Sequence, residues 1–367
     1  MKVLLVTWVD AWTRNVATIH KWVEAARALG HEVVIFGPSN MDLPKLTFTT
    51  DLTHVDIALL IAQLPPDFPD MPYLARLLDG VPRERRMVLD MWAKYDDTIR
   101  VEHDFNHLEK FDGHLGWEWQ DAFRAVSGTI LQPTLAPRRP DVQSFLFHGF
   151  DAGSVAKPYA SAREAAAAWR QKPYGVMYAG SNWQRWEQVR AFLEAHASVR
   201  AKVGPACLIG WDWSARPEWA VQKGIMGIDT DPDLLPRLEV EVRDGVRFDG
   251  IVDLLGQARF TPVLHRPLFR HLGFVTNRTF ETFYADTIPV LMLPRDFVSS
   301  IYGAAALRLV PGDDLAAHLT EVMSAPEPYW EAVLQTRAHL AEHHSYARRF
   351  EQLGKLAAAR PAPGAAR

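Results

Sequence analysis

The sequence predicts an α/β protein of two halves, each a doubly wound parallel sheet. Three observations carry this. The 367 residues suffice for two domains, and the 48% hydrophobic content is enough to fill two cores. The apolar runs are short, continuous and rich in β-branched residues, as in strands covered on both faces. Segments with apolar residues at helical spacing lie between them, and strands that alternate with helices pair in parallel.

The first forty residues contain one complete βαβ unit. "KVLLV" is a strand, "TWVDAWTRN" its exit loop, and "VATIHKWVEAARALG" a helix that stops at Gly30. "HEVVIFGP" is the next strand, closed by Gly-Pro. Further strands are expected over 55–62, 86–92, 128–133 and 144–150. "DAGSVAKPYASAREAAAAW" mixes small residues, a proline and a helical run, and reads as a linker. The alternation then resumes with the strand "YGVMYAGSN" (174–182), the helix "QRWEQVRAFLEAH" and the strand "PACLIGWDW" (205–213). "IVDLLGQARFTPVL" supplies a helix and a strand, and "TNRTFETFYADTIPVLML" (276–293) supplies another pair. One last helix is expected over 328–357, free to pack back across the junction, with a frayed tail at 358–367. The expected domains are 1–158 and 170–345.

Composition narrows the function. The formal net charge is -4 and there is no long basic run, which argues against a sequence-independent grip on phosphates. No nucleic acid is therefore expected as a partner. The single cysteine, Cys207, lies in the apolar run "ACLIG". It reads as a buried hydrophobe in a reducing, cytoplasmic setting. No apolar run approaches the ~20 residues that span a bilayer. The start reads as a strand and not as a signal peptide. Oligomeric state is left open.

Thirteen tryptophans, several beside polar residues, suit a cleft that grips a ring-shaped ligand. A cleft between two such halves would be lined by strand-end loops and helix N-termini. In "TNRTFE" a helix beginning near Asn277, Arg278 and Thr279 offers free N–H groups and a favourable dipole to an anion. Arg278 adds a fork suited to phosphate oxygens. Glu281, one turn in, would repel a phosphate, but it can accept hydrogen bonds from the 2′ and 3′ hydroxyls of a ribose. The plainer alternative is a stabilising first-turn acid.

In "YAGSNWQRWEQ", Gly180 lets a ligand approach the backbone. Ser181 and Asn182 can donate hydrogen bonds, and Arg185 stands near the next helix start. A strand–loop–helix with a surface arginine is the alternative. In the first exit loop, Asp10 can serve as a general base and Trp8 and Trp12 can stack on an acceptor. An aspartate that merely caps a turn is the alternative.

Metal signals are weak. Asp229-Thr230-Asp231 has the spacing that holds a divalent ion in one class of sugar transferases, but it also suits a polar turn before Pro232. His103 and His107 share a helix face without an evident third ligand. His343-His344 reads as a solvated helix face. The Gly-rich dinucleotide and P-loop signatures are absent, as is the serine-hydrolase elbow.

Together these stretches resemble the GT-B glycosyltransferases, nearest the family-4-like transferases and their spore-coat-protein-like branch. "KVLLV…VEAARALGHEVVIFGP" resembles the N-terminal strand–helix–strand. "SFLFHGFDAGSVAKP" is similar to the passage at the domain junction, and "YGVMYAGSNWQRWEQVRAFLEA" to the opening of the nucleotide-binding domain. "VRFDGIVDLLGQARFTPVL", "RTFETFYADTIPVLM" and "HHSYARRFEQL" are similar to later family segments in the same order.

The resemblance implies two Rossmann-like domains facing across a cleft. It implies transfer of a sugar from a nucleotide-diphosphate sugar to a small-molecule or glycan acceptor, without a metal or other cofactor. Glu281 matches the ribose-binding glutamate, and Arg185 and Arg278 match positions near the diphosphate. The two arginines would stabilise the leaving group; Asp10 matches no family motif, and its role as base if the reaction inverts rests on its position alone. Gly273 stands where many retaining relatives carry a further glutamate, and Asp286 where a glycine is usual. A nucleotide-sugar 2-epimerase and a non-catalytic sugar-nucleotide binder remain as alternatives.

Overall fold

The structure is a computed structural model and describes residues 1–7, 9, 15–62, 71–95, 116–222 and 228–359. The chain forms two compact units. The first comprises Met1–Gly149, Leu272–Asn277 and Ser345–Arg367, and the second Phe150–His271 and Arg278–His344.

The first unit carries strands β1 (Lys2–Val6), β2 (Glu32–Phe36), β3 (Phe48–Thr49), β4 (Ile57–Ala62), β5 (Arg86–Asp90), β6 (Thr129–Gln132) and β7 (Val142–Ser144). Helices α1 (Val16–Ala28), α2 (Met71–Gly80) and α3 (Gly116–Val126) connect them. The strand order is β3-β2-β1-β4-β5-β6-β7, and every pair is parallel. Alternate residues of the strands, among them Leu4, Val6, Val34, Phe36, Leu60 and Val88, pack with Leu77 of α2 and Phe123 of α3.

The second unit carries β8 (Tyr174–Ala179), β9 (Ala206–Ile209), β10 (Val240–Arg243), β11 (Ala258–Val263) and β12 (Ile288–Leu291), in the order β10-β9-β8-β11-β12, again all parallel. Its helices begin with α4 (Ala162–Trp169), α5 (Trp186–Val203), α6 (Glu218–Gln222), α7 (Leu234–Arg237) and α8 (Ile251–Leu255). They continue through α9 (Pro267–Leu272), α10 (Asn277–Tyr284), α11 (Arg295–Tyr302), α12 (Leu315–Ser324) and α13 (Glu327–His343). Cys207 is fully buried with Met177, Ala179 and Ile209, and burial pushes its thiol up to about 11. At neutral pH it is a packing residue.

The structure differs from the sequence reading in two places, the end of β7 and the C-terminal helix. The expected strand over 144–150 ends at Ser144, where pairing with β6 runs out, and Phe145, Phe147 and Phe150 are buried beyond it. The helical run expected at the end of the 151–169 stretch forms α4, capped by Ser161 and anchored by Trp169. The Trp169 indole donates to the Arg259 carbonyl at 2.5 Å and packs edge-on to Phe260.

The single helix expected over 328–357 is two helices. It breaks after His343, and Ser345 accepts from the Arg348 N–H at 3.4 Å to start α14 (Tyr346–Ala358). That helix belongs to the first unit. Its Phe350 packs on Trp22 of α1 with ring centroids 4.6 Å apart, and the Trp22 indole donates to the Phe147 carbonyl at 2.9 Å. Among the described residues no helix is long and apolar enough to cross a membrane.

Candidate functional site

In an open parallel sheet, ligands bind beyond the carboxyl ends of the strands, where the strand order reverses. In the second unit that point lies between β8 and β11. The loop after β8 contains Gly180, Ser181, Asn182 and Arg185, and the loop after β11 contains Leu264, His265 and Arg266.

The β8 loop is held from behind. The Trp213 indole donates to the Gly180 carbonyl at 2.8 Å. Gly210 passes so close, at φ +140, that a Cβ there would run into that carbonyl. The Asn182 side-chain N–H groups go to the Asp212 and Asp229 carbonyls at 2.9 and 2.8 Å. Asn182 therefore ties loops together, and its donors are spent within the protein. Arg185 stands at the start of α5. Its Nη1 donates to the Ser181 and Trp183 carbonyls at 3.3 and 3.1 Å, while its buried Nε has no hydrogen-bond partner.

Facing this loop across the strand reversal, His265 is 2% exposed. Gln188, on the first turn of α5, donates to the His265 carbonyl at 2.6 Å. The His265 Nε2 and the Gln188 Oε1 are both buried without a hydrogen-bond partner. Burial, reinforced by the charges of Arg185 and Arg270, lowers the imidazole to about 3, so it is neutral at physiological pH. The Arg266 guanidinium lies 3.8 Å from the Phe269 ring centre.

Helix α10 carries Asn277, Arg278, Thr279 and Glu281. Arg278 and Glu281 form an ion pair at 2.7 Å on its first turn, and Glu281 is 4% exposed. Thr279, Phe280 and Phe283 are buried. Asn277 groups with the first unit, where the Thr18 hydroxyl donates to its side-chain oxygen at 3.5 Å. At the far end of the helix, Arg337 donates to the Phe283 and Ala285 carbonyls at 2.9 and 2.8 Å. It thereby satisfies acceptors that a helix end leaves open. Asp286 is buried in ion pairs with Lys172 at 2.7 Å and Lys157 at 3.2 Å. Lys172 also donates to the Gly256 and Asp286 carbonyls. Burial lowers its ammonium pKa, and Asp286 works against that shift.

Trp8, Asp10, Trp12, His103 and His107 lie outside the described residues. Asp229-Thr230-Asp231 forms a polar turn. Thr230 donates to the Trp213 carbonyl at 2.7 Å, and Asp231 accepts from the Asp233 N–H at 3.0 Å. Among the described residues no group of three or more His, Cys, Asp and Glu could hold a metal ion. His344 is buried, 5.9 Å from the Phe280 ring centre, which corrects the expectation of a solvated face there. Sequence reasoning missed Gln188, His265 and the Lys172–Asp286 network. "HR" directly after the apolar strand "ARFTPVL" was the available signal for His265.

No known family description and no curated protein matches the chain. Solved structures do. An alpha-glucosyltransferase in complex with UDP and a 13-mer DNA containing a HMU base matches at TM-score 0.64 and 11% identity, over 98% of this chain and 99% of that one. The DNA-modifying enzyme beta-glucosyltransferase, with uridine diphosphoglucose as substrate, matches at 0.57 and 12%, over 98% and 100%. A T4 phage beta-glucosyltransferase in complex with UDP and Mn2+ matches at 0.53 and 12%, over 97% and 99%.

The chain has the GT-B fold. At such low identity the likeness establishes that fold and nothing further. The GT-B neighbours also correct one expectation: nucleic acid is not excluded as a partner, because one of them is seen holding DNA. Net charge averages over a whole surface, whereas a phosphate backbone meets only the local field of the patch that it touches.

Proposed function

We propose that the protein is a glycosyltransferase whose second unit holds a nucleoside-diphosphate sugar. The observation that carries this is the set of unspent polar atoms at the β8–β11 reversal: Arg185 Nε, Gln188 Oε1 and His265 Nε2. A buried polar atom without a partner costs about 1–3 kcal/mol, and a bound ligand that supplies the partner offsets that cost. Arg185, Arg278 and the first N–H groups of α10 take the diphosphate, with Ser181 beside them, and Glu281 takes the ribose. As the glycosidic bond breaks, negative charge grows on the departing diphosphate, and these cations stabilise it without a resident metal.

Asp10, Trp8 and Trp12 follow β1 in the first unit. From that place in the chain they take the acceptor, with Asp10 as base if the configuration inverts. The acceptor offers a hydroxyl. The whole-length neighbours are DNA glucosyltransferases, so hydroxymethylated DNA is assayed beside glycans and small molecules. The resemblance to the family-4-like branch and a cytoplasmic setting for the lone buried Cys207 belong to the same reading.

Thermal shift with UDP, GDP and dTDP identifies the base. Glu281→Ala is expected to weaken binding of the best nucleotide about tenfold or more, read by calorimetry. Unchanged affinity removes the ribose role. Nucleotide released only in the presence of an acceptor separates transfer from 2-epimerisation.

A further inference from the structure

Trp211 stands 48% exposed at the carboxyl end of β9, on the ligand side of the second sheet. The backbone that carries it is pinned before, at and after the indole. The Gly210 N–H donates to the Arg243 carbonyl of β10, and the Asn182 N–H donates to the Trp211 carbonyl, both at 3.0 Å. Asp212 is held in the left-handed region at φ +67, a conformation uncommon outside glycine, and its carbonyl accepts from the Asn182 side chain. The indole is placed as firmly as its backbone. A Cβ on Gly245, in the loop after β10, would run into Cε2, Cζ2 and Cη2 of its six-membered ring at nearly equal distance. The ring therefore lies flat on the glycine, which only a residue without a side chain permits. The exposure falls on the rest of the indole. A half-exposed ring adds little to a core, yet two strand-end loops are shaped around this one.

We propose that Trp211 is the stacking platform for the nucleobase of the donor. In a mononucleotide-binding α/β half, the phosphates lie at the exit of the first strand and the nucleoside reaches toward the exit of the next. β8 and β9 are the first two strands of this unit, and Arg185 follows β8. The indole offers a flat apolar surface, and every base has a π-face to lay on it. The stack therefore supplies affinity whichever base it meets. The transferred sugar hangs from the other end of the diphosphate and makes no use of the platform. This inference rests on the donor site proposed above.

Calorimetry on the full chain tests it, with UDP, GDP and dTDP and with the sugar nucleotide of whichever binds best. Trp211→Ala is expected to weaken the best nucleoside diphosphate about tenfold, with the melting temperature little changed. Trp211→Phe keeps an aromatic face and is expected to stay within about threefold of wild type. Gly245→Ala is expected to copy W211A, because its methyl lifts the indole off the loop. A W211A chain that binds within about twofold of wild type overturns the platform, and so does a loss that phenylalanine does not recover. A loss seen with the sugar nucleotide but not with the nucleoside diphosphate also overturns it, since the indole would then meet the sugar. A wild-type chain that binds no nucleoside diphosphate overturns the donor site and the platform together. If G245A does not fold, the two Trp211 variants decide.

Discussion

At the end of β5 in the first unit, Asp90 is fully buried. It accepts the N–H groups of Trp92, Lys94 and Tyr95 and the side-chain amide of Gln132, at 2.9 to 3.3 Å. Burial pushes its carboxyl up, and those hydrogen bonds pull it back. At the ends of β8 and β11 in the second unit, Arg185, Gln188 and His265 each keep a buried polar atom without a partner. The two sheets share the same order around their first strand, so topology does not separate them. What separates Asp90 from the Arg185–Gln188–His265 set is where the polar capacity goes, although the Gln132 Oε1 beside Asp90 is also buried without a partner. A strand-end group whose bonds are all made within the protein shapes a loop. One whose bonds remain unmade keeps capacity for a further partner, which the proposed function assigns to the donor.

The sharpest way to break this comparison is to remove one member from each side. Arg185→Gln is expected to lower turnover with the best sugar nucleotide by about 10²–10³-fold with little change in melting temperature. Asp90→Ala is expected to do the reverse. It should lose roughly 3 kcal/mol of stability in urea denaturation and leave nucleotide affinity within about twofold. If D90A abolished nucleotide binding in folded protein while R185Q did not, the two strand ends would have exchanged roles.

A smaller effect comes from a histidine in each unit. His148 is buried in the first, bonded to the Thr18 hydroxyl at 2.8 Å, and is lowered to about 3 by burial and Arg349. His265 is its counterpart in the second, also lowered to about 3. Both fall below the ordinary value near 6.5, so the fold favours the neutral ring. Their contribution is complete above about pH 6.5 and is lost as the pH falls toward 3. From pH 7.5 to 5.5 each is expected to cost roughly 1–1.5 kcal/mol. His148→Gln should remove one share of that slope and His265→Gln the other, in urea titrations at the two pH values. The smallest effect expected is that of EDTA, with transfer rates held within about twofold if arginines and helix N–H groups carry the leaving-group charge.

The parallel architecture, the exit loop of β8 and the start of α10 were legible in the sequence, because each is local. "YGVMYAGSNWQR" shows a strand, a glycine exit and a cation within twelve residues, and "NRTFETF" shows the helix start with its arginine and acid. His265 was not legible as a site residue, because its importance depends on β11 lying beside β8, a pairing between segments some eighty residues apart. The Lys172–Asp286 ion pair is equally remote in sequence, and Asp286 read only as a departure from a pattern. Asn182 was legible as a polar loop residue but not as a loop tie, since its partners Asp212 and Asp229 arrive from later turns. The break at Ser345 was hidden because helical periodicity continues on both sides of it.

The position of α14 has a consequence for synthesis. Trp22, near the start of the chain, is covered by Phe350, near its end. On the ribosome, the first unit cannot close its aromatic cluster until the second unit has been translated in full. During that interval the side of the Trp22 indole turned away from Phe145 and Phe147 stays uncovered, which makes this stretch a natural binding point for a chaperone and the place where a chain cut short after His344 would begin to aggregate.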